Sequence, residues 1–565
     1  MLRPLAGLSA AVAGLAPAAA LACGGFFCNS TPVDQSAERI LFVQEDAETV
    51  SSYVEIMYQG EPEGFAWIVP VPEVPELDVW YGGAFNALDL ATGPSFTGNF
   101  GCFEAAAGGV DSDADGVPEE DPAVDVLARE QVGPFDTVTI ASADPRALVD
   151  WLRENGYRIL PEMEPFVALY TAEGMKFVAM KLQPGQDVAA IQPIKMTYRA
   201  QGPGVPLRLT AVAAQLEMGV KVWVLADKRY DVVNMPGLAI NDADLVYDDW
   251  TGQTNYVGLV ARAVDAAGGH GFVTEYATPT AELAAQIRDS FVPEWAGQEA
   301  IDARDALADV LASKPYLTRL YTRVSPEEMD IDPVFAESEG GDVSRVHEIP
   351  ERPGQDACGG VAEDFDACAF AACGAGGACA EVAGPGNRPQ AGCACAEGTL
   401  ARAVPDPSIP GGVAVACGDA RMNFLNPDLA PAGPDPLRDF ADACLGNPCG
   451  ENGECISLNG FASCRCDAGF VAVGARDDAG LPQAICAPAL AEVAAPVELR
   501  EPDLPYPGRP VARPVDPIVP GNGGPGMAAP SADDESCTAA PGSRSGALWA
   551  LLPLVALVRR RRRAA

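Results

Sequence analysis

The sequence predicts an α+β domain, rich in strands and with few helices, over residues 23–345. Hydrophobic residues in this region alternate with a period of two, which is typical of half-buried strands. Helix signals occur among these strands at irregular intervals, which favours the α+β class over a regular alternation of strand and helix. The total length of 565 residues leaves room for further domains after it.

The strand predictions rest on this alternation. In residues 50–58 alternate side chains share one apolar face, and the run ends at a turn that contains Gly60 and Pro62. Residues 65–71 resume the pattern, so the two runs are expected to form a hairpin. Further strands are predicted at residues 137–141, 176–182, 195–198 and 219–226.

Three helices have recognisable limits. Asp144 is placed to cap a first helix that starts at Pro145 and ends before Gly156. A second helix is expected to begin at Thr278, and a third to span residues 299–312.

The charge composition excludes several classes of function. Asp and Glu number 79 against 37 Lys and Arg, a formal net charge of −42, so nucleic acid is not expected as a partner. The two histidines, His270 and His347, are too few for His-rich metal sites, and both are interpreted as ordinary loop residues.

The N-terminus is typical of an exported protein. Residues 1–22 combine Arg3, an apolar stretch and a small-x-small cleavage site, which predicts a signal peptide. Cleavage would make Cys23 the first residue, either as a plain N-terminus or as the attachment point of a lipid.

Twelve of the 17 cysteines form two sets of six with matching spacing, each containing a Cys-x-Cys pair. Both sets are similar to EGF-like modules, at residues 357–420 and 440–487. The resemblance implies that in each module the first cysteine pairs with the third, the second with the fourth and the fifth with the sixth. The implied disulfides are Cys368–Cys379, Cys373–Cys393, Cys395–Cys417, Cys444–Cys455, Cys449–Cys464 and Cys466–Cys486.

Zinc binding is the rival use of clustered cysteines. The two sets contain no Cys-x-x-Cys pair, and the signal peptide directs the chain to an oxidising compartment, so disulfides are favoured. Of the remaining cysteines, Cys23, Cys28, Cys102 and Cys358 could form two bridges in three ways.

Cys537, the odd cysteine, belongs to a distinctive C-terminal tail. An apolar run at residues 546–558 is followed by five arginines at residues 559–563. This order resembles the myxobacterial-type C-terminal sorting signal, which implies cleavage and anchoring near Cys537. An uncut membrane anchor, formed by a short hydrophobic helix, is the alternative. In both cases the membrane is a partner through the C-terminus, and the chain is expected at the cell surface, anchored in the outer membrane.

Two other segments carry expectations. Asp111, Asp113, Asp115 and Glu119 alternate around a glycine, a pattern that predicts a Ca²⁺ loop, with a solvated acidic turn as the alternative. The proline-rich residues 488–536 predict a disordered, extended stalk.

Several motifs of the N-terminal domain resemble one secreted bacterial family, called domain of unknown function 2330. They include Cys23-Gly-Gly-Phe-Phe-Cys28, Phe65-Ala-Trp-Ile-Val-Pro-Val-Pro72, Trp151-Leu-Arg-Glu-Asn-Gly-Tyr157 and Pro326-Glu-Glu-Met329. The family has no established activity, so the resemblance implies a domain boundary near residue 345 and neither a mechanism nor a cofactor.

The layout favours a surface protein with an interaction or structural role, whose ligand is an unknown protein or polysaccharide. A carboxylate-dependent extracellular hydrolase and a calcium-dependent adhesion protein are the alternatives. No catalytic residue is assigned, because the sequence contains neither Gly-x-Ser-x-Gly nor His-Glu-x-x-His. Ca²⁺ is the one cofactor considered.

Overall fold

The computed structural model describes fourteen stretches of the chain: residues 35–56, 66–98, 125–157, 159, 163–183, 185–186, 191–248, 252–350, 365–384, 388–405, 412–423, 443–477, 479–496 and 499–506. The signal peptide, the acidic loop, most of the stalk and the C-terminal tail lie outside these residues. Within the described stretches, no helix has the length and apolar character needed to cross a membrane.

The N-terminal domain comprises the described residues between 35 and 350. Its strands are β1 (Gln35–Asp46), β2 (Thr49–Ile56), β3 (Ala66–Val71), β4 (Glu76–Val79), β5 (Ser95–Thr97), β6 (Asp125–Val132), β7 (Phe135–Ala141), β8 (Lys176–Leu182), β9 (Ile194–Arg199), β10 (Ala214–Ala226), β11 (Tyr230–Val232), β12 (Gly237–Leu238), β13 (Tyr247–Asp248), β14 (Gln253–Thr254), β15 (Phe272–Pro279), β16 (Tyr316–Val324), β17 (Phe335–Glu337) and β18 (Val346–Glu348). Its helices are α1 (Gly82–Thr92), α2 (Pro145–Glu154), α3 (Glu164–Ala172), α4 (Leu207–Thr210), α5 (Tyr256–Ala266), α6 (Thr280–Arg288) and α7 (Gly297–Ala312).

Two sheets organise this domain. The larger has the strand order β12-β15-β16-β10-β1-β2-β9-β4, and the smaller has the order β3-β8-β7-β6. Within the larger sheet β1 pairs with β10 in parallel and with β2 in antiparallel register. Ladder pairs between strands far apart in sequence therefore hold the sheet together.

The central strand β1 is buried on both faces. Ile40 and Phe42 point into the core shared with the smaller sheet, whereas Leu41 and Val43 point into a second core beneath α1, α6 and α7. All four are at most 2% exposed. The period-two alternation thus places the larger sheet between a helical layer and the smaller sheet.

The structure confirms a β-rich domain with few helices and corrects one detail of the predicted pairing. The predicted strand at residues 176–182 coincides with β8, and Asp144 caps α2 by accepting a hydrogen bond from the Arg146 amide at 2.9 Å. The hairpin expected between residues 50–58 and 65–71 is wrong. β2 pairs with β1 and β9 in the larger sheet, whereas β3 pairs with β8 in the smaller one.

The disulfide-rich unit comprises the described residues between 365 and 490. Its strands are β19 (Gly377–Ala383), β20 (Pro389–Cys395), β21 (Thr399–Pro405), β22 (Val413–Asp419), β23 (Gly453–Leu458), β24 (Phe461–Cys466), β25 (Phe470–Arg476) and β26 (Pro482–Pro488). Six disulfides join the same cysteine pairs that the EGF-like resemblance implied.

The two sets of six cysteines do not form separate modules. One sheet has the order β19-β20-β25-β26 and the other the order β22-β21-β24-β23, so each sheet joins a hairpin of the first set to a hairpin of the second. Cysteines of both sets, among them Cys393 and Cys464, share one core. The second set thus completes the sheets of the first.

This unit packs against the N-terminal domain. Leu216 of β10 forms a small core with Val404 and Ala416, and the Arg262 guanidinium of α5 donates to the Ala369 and Ala371 carbonyls. Met422 and Leu504, 2% and 0% exposed, extend the core of the N-terminal domain itself. Ordered packing therefore continues into residues 499–506, within the stretch assigned to the stalk.

Candidate functional site

A pocket lies between the two sheets of the N-terminal domain. Its cavity volume is about 290 Å³. The residues that line it come from β1, β2, β3 and β9, from the end of α3 and the turn after it, from α4, and from the connections around residues 200–206 and 332–334. Those that form its apolar wall include Ile40, Phe42, Val54, Trp67, Val69, Val71, Met175, Met196 and Tyr198.

The strand period explains why these side chains converge. β1 contributes residues 38, 40 and 42, β2 contributes 52 and 54, and β9 contributes 196 and 198, so each strand offers alternate positions to the same face. From the smaller sheet, β3 offers Trp67, Val69 and Val71 in the same way. The pocket is therefore a part of the inter-sheet core that side chains do not fill.

One carboxyl group interrupts this apolar wall. Glu38 is two residues before Ile40 on β1, is 7% exposed and lines the pocket. Its Oε2 atom has no hydrogen-bond partner among the described residues. Burial raises the pKa of the Glu38 carboxyl to about 7, because the ionised form loses its hydration there. A proton or a bound cation would relieve this cost.

The other two acidic lining residues, Glu173 and Asp332, already share one cationic partner. Arg208 donates to Asp332 Oδ2 from Nη2 at 2.7 Å and to Glu173 Oε1 from Nη1 at 2.8 Å. The Tyr170 hydroxyl donates to Asp332 Oδ1 at 2.9 Å. None of the described residues that line the pocket is basic. Glu38 is therefore the group left to interact with a ligand.

Two aromatic side chains with polar atoms, Trp67 and Tyr198, also line the cavity. Burial raises the pKa of the Tyr198 phenol to about 12, so Tyr198 is a neutral group at physiological pH. The Trp67 Nε1 atom is buried and has no acceptor among the described residues. Together with Glu38 they offer two aromatic rings and one carboxylate, a combination suited to binding a cation.

The predicted site residues are not among the described residues that line the pocket. Asp111, Asp113, Asp115, Glu119 and the anchoring Cys537 fall outside the described residues. The six disulfides lie in the disulfide-rich unit.

Both histidines have carboxylate partners. His270 Nε2 is 2.6 Å from Asp330 Oδ1, and His347 Nδ1 is 2.7 Å from Asp242 Oδ1. The sequence predicts a loop position for His347, and this prediction is wrong: His347 lies in β18, because residues 346–348 pair with β5.

Sequence reasoning missed Glu38, although the signal is present. Glu38, Ile40 and Phe42 occupy alternate positions of a strongly apolar strand, so the acidic side chain of Glu38 is expected on the same face as the two core residues. A second acidic feature is separate from the pocket. The carboxylates of Glu217, Asp265 and Glu328 lie close enough together to hold a metal ion, and none of the three lines the pocket.

Comparisons with known proteins identify a family and no activity. The family model described as "Uncharacterized protein conserved in bacteria", domain of unknown function 2330, matches residues 17–335, more than half of the chain. Neither the curated proteins nor the solved structures contain a match.

Proposed function

We propose that this chain, which belongs to the bacterial family called domain of unknown function 2330, is an exported binding protein of the cell envelope. Its ligand in the inter-sheet pocket is a small molecule, or a terminal group of a larger one, with an apolar body and a positively charged head. The buried Glu38 carboxyl, which lines the pocket and whose Oε2 atom has no hydrogen-bond partner among the described residues, is the observation that carries this proposal.

The electrostatics favour a cation over other ligands. A cation about 4 Å from an ionised carboxylate gains roughly 4 kcal/mol at an effective dielectric constant of about 20. The gain is largest where the carboxylate has no competing partner, which describes Glu38 Oε2. An anionic ligand would meet the Glu38 carboxyl and, among the lining residues that the structure describes, no basic side chain with which to pair.

The shape of the pocket limits the ligand to a small one. Ligand pockets typically span about 300–1,000 Å³, and this one, at about 290 Å³, lies at the lower end. The rings of Trp67 and Tyr198 line it and can contact either an apolar group or a cation. An alkylammonium or arylalkylammonium group fits this combination of size, polarity and charge.

The location proposed for this binding is the cell surface. The six disulfides suggest an extracellular or secreted protein, because such bonds persist in oxidising compartments. We propose that the signal peptide exports the chain and that the tail around Cys537 attaches it to the outer membrane. The ligand would then be a cationic group carried by an envelope polymer or by another protein, or a diffusible organic cation.

A set of matched probes tests the binding proposal. Thermal unfolding and calorimetric titration of the oxidised protein would compare phenethylammonium with 2-phenylethanol and phenylacetate, which are close in size but neutral or anionic. Phenethylammonium is expected to bind and raise the Tm, whereas phenylacetate is expected to do neither. Glu38→Gln keeps the shape of the side chain and is expected to abolish the preference for the cation.

Glu282→Gln, an exposed carboxylate of α6, is the matched control and should leave the preference intact. Equal binding of the three probes, or a preference for the cation that survives in Glu38→Gln, would contradict the proposal.

A further inference from the structure

A cluster of three carboxylates lies beside the disulfide-rich unit. One carboxylate oxygen from each of Glu217, Asp265 and Glu328 lies within 4.8 Å of the other two. Glu217 belongs to β10, Asp265 to the last turn of α5, and Glu328 to a short 3-10 turn after β16. Segments far apart in sequence thus bring three acidic groups to one point.

The local backbone fixes the Glu328 side chain in this position. The Ser325 amide donates to Glu328 Oε2 at 2.8 Å, as part of a capping box. On the other side is Gly269, with φ +81, where a Cβ atom would lie only 2.5 Å from Glu328 Cγ. A glycine at that position therefore allows the turn after α5 to approach the Glu328 side chain closely.

Burial leaves one oxygen of Glu328 in need of a partner. Glu328 is 7% exposed, and its Oε1 atom has no hydrogen-bond partner among the described residues. The adjacent Glu327 is 6% exposed, and its Oε2 atom also has no hydrogen-bond partner among the described residues. Buried carboxylate oxygens without donors are costly, which points to a ligand that supplies positive charge.

Among the described residues, the cations that face the cluster are fewer than its carboxylates. Arg323 Nε is 3.9 Å from Glu217 Oε2, and Arg262 lies close enough to Asp265 to favour its ionised form. Against these two cations stand the three cluster carboxylates and Glu327, while Asp419 is paired with Arg421.

We propose that Glu217, Asp265 and Glu328 bind a Ca²⁺ ion next to the contact between the N-terminal domain and the disulfide-rich unit. This site is independent of the ligand pocket and of the acidic loop at residues 111–119. Ca²⁺ takes six to eight oxygens at about 2.3–2.6 Å, so two oxygens on one ion lie at most roughly 5 Å apart, which the cluster satisfies. Zinc is disfavoured because all three candidate ligands are carboxylates, without His or Cys.

The proposed ion lies next to residues that join the N-terminal domain to the disulfide-rich unit. Leu216, next to Glu217, packs against Ala416 of β22. Glu327, next to Glu328, accepts a hydrogen bond from the Asp419 amide at 3.2 Å. The ion would hold together the two segments that make these contacts, so Ca²⁺ is expected to stabilise the docked arrangement.

The test uses the mature, oxidised full-length protein. Calorimetric titration with Ca²⁺ and thermal unfolding in Ca²⁺ or EDTA are measured for the wild type, Asp265→Asn and Glu328→Gln. The wild type is expected to bind Ca²⁺ and to unfold at a higher Tm in its presence. Each variant is expected to lose more than roughly tenfold in affinity, because ligand charge sets Ca²⁺ affinity.

Folding of the variants can be judged separately from binding. The amides remove like-charge repulsion, so in EDTA each variant should unfold at or above the wild-type Tm. Asp309→Asn, an exposed carboxylate of α7, controls for net charge. The triple variant Asp111→Asn, Asp113→Asn and Asp115→Asn should retain the response that depends on Glu328.

Two results would overturn the proposal. One is a wild-type protein that neither takes up Ca²⁺ nor changes its Tm in EDTA. The other is a Ca²⁺ response that persists in the Asp265→Asn, Glu328→Gln double variant.

Discussion

The Glu38→Gln substitution provides a direct test of how the pocket carboxyl behaves in the folded protein. Burial raises the pKa of Glu38 to about 7 from an ordinary value of 4.5. In the unfolded chain the carboxyl has the ordinary value, so between these two pH values the folded state binds a proton that the unfolded state has lost. The free energy of unfolding contributed by this group is therefore largest below pH 4.5 and falls as the pH rises through 7.

The size of the effect follows from the difference between the two pKa values. A shift of about 7 − 4.5 = 2.5 units, at about 1.36 kcal/mol per unit, corresponds to about 3 kcal/mol. Gln cannot ionise, so Glu38→Gln should match the wild type at low pH and exceed it by about 3 kcal/mol above pH 7. Urea unfolding of both proteins across this range measures the difference, and the other titrating groups cancel in it.

A difference between Glu38→Gln and wild type that stays constant with pH would refute this reasoning. It would mean that the Glu38 carboxylate is solvated or paired in the folded protein. A saturating cationic ligand should also reduce the difference, because a cation in the pocket stabilises the ionised carboxylate. The pH series thus connects the stability of the fold to the proposed binding site.

Three other substitutions test the fold and the anchor. Arg319→Ala breaks a fully buried pair with Glu275 and should lower the free energy of urea unfolding by roughly 3–5 kcal/mol, whereas Arg288→Ala, in an exposed pair, should leave it nearly unchanged. Leu504→Ala should cost about 2–5 kcal/mol in the same assay, since its side chain is 0% exposed; no loss would mean that residues 499–506 do not belong to the folded unit. Cys537→Ala should leave an uncut precursor, and mass spectrometry of a wild-type product that retains Arg563 would contradict the sorting interpretation.

The sequence predicted strands better than it predicted their partners. Alternation reports which residues face a core, and β8 coincides with the predicted residues 176–182. It does not report which strand lies alongside, so the runs that became β2 and β3 were joined into a hairpin that the two sheets exclude. Long-range pairing depends on the packing of the whole domain, which local patterns do not contain.

The candidate sites differ in how far a sequence could reveal them. Glu38 has a local signal, because it shares the inward phase of Ile40 and Phe42. The cluster of Glu217, Asp265 and Glu328 has none, since its members lie on three separate segments that only the fold brings together. Acidic residues are also too common in this chain, at 79 Asp and Glu, for any one of them to stand out.

The disulfide-rich unit changes how the whole chain should be understood. Cysteine spacing describes each set of six by itself, and so suggests two modules in a row after a separate domain. In the structure each sheet combines a hairpin of the first set with a hairpin of the second, and Met422 and Leu504 complete the core of the N-terminal domain.

Reduction of the disulfides should therefore destabilise the N-terminal domain as well, because the residues that cover part of its core are positioned by the unit that the disulfides hold together. A domain cut at residue 345 would lack Met422 and Leu504, and it would expose the surface of Leu216 that Val404 and Ala416 cover. The family domain and the disulfide-rich unit are in this sense one folding unit, with the carboxylate cluster beside their shared surface.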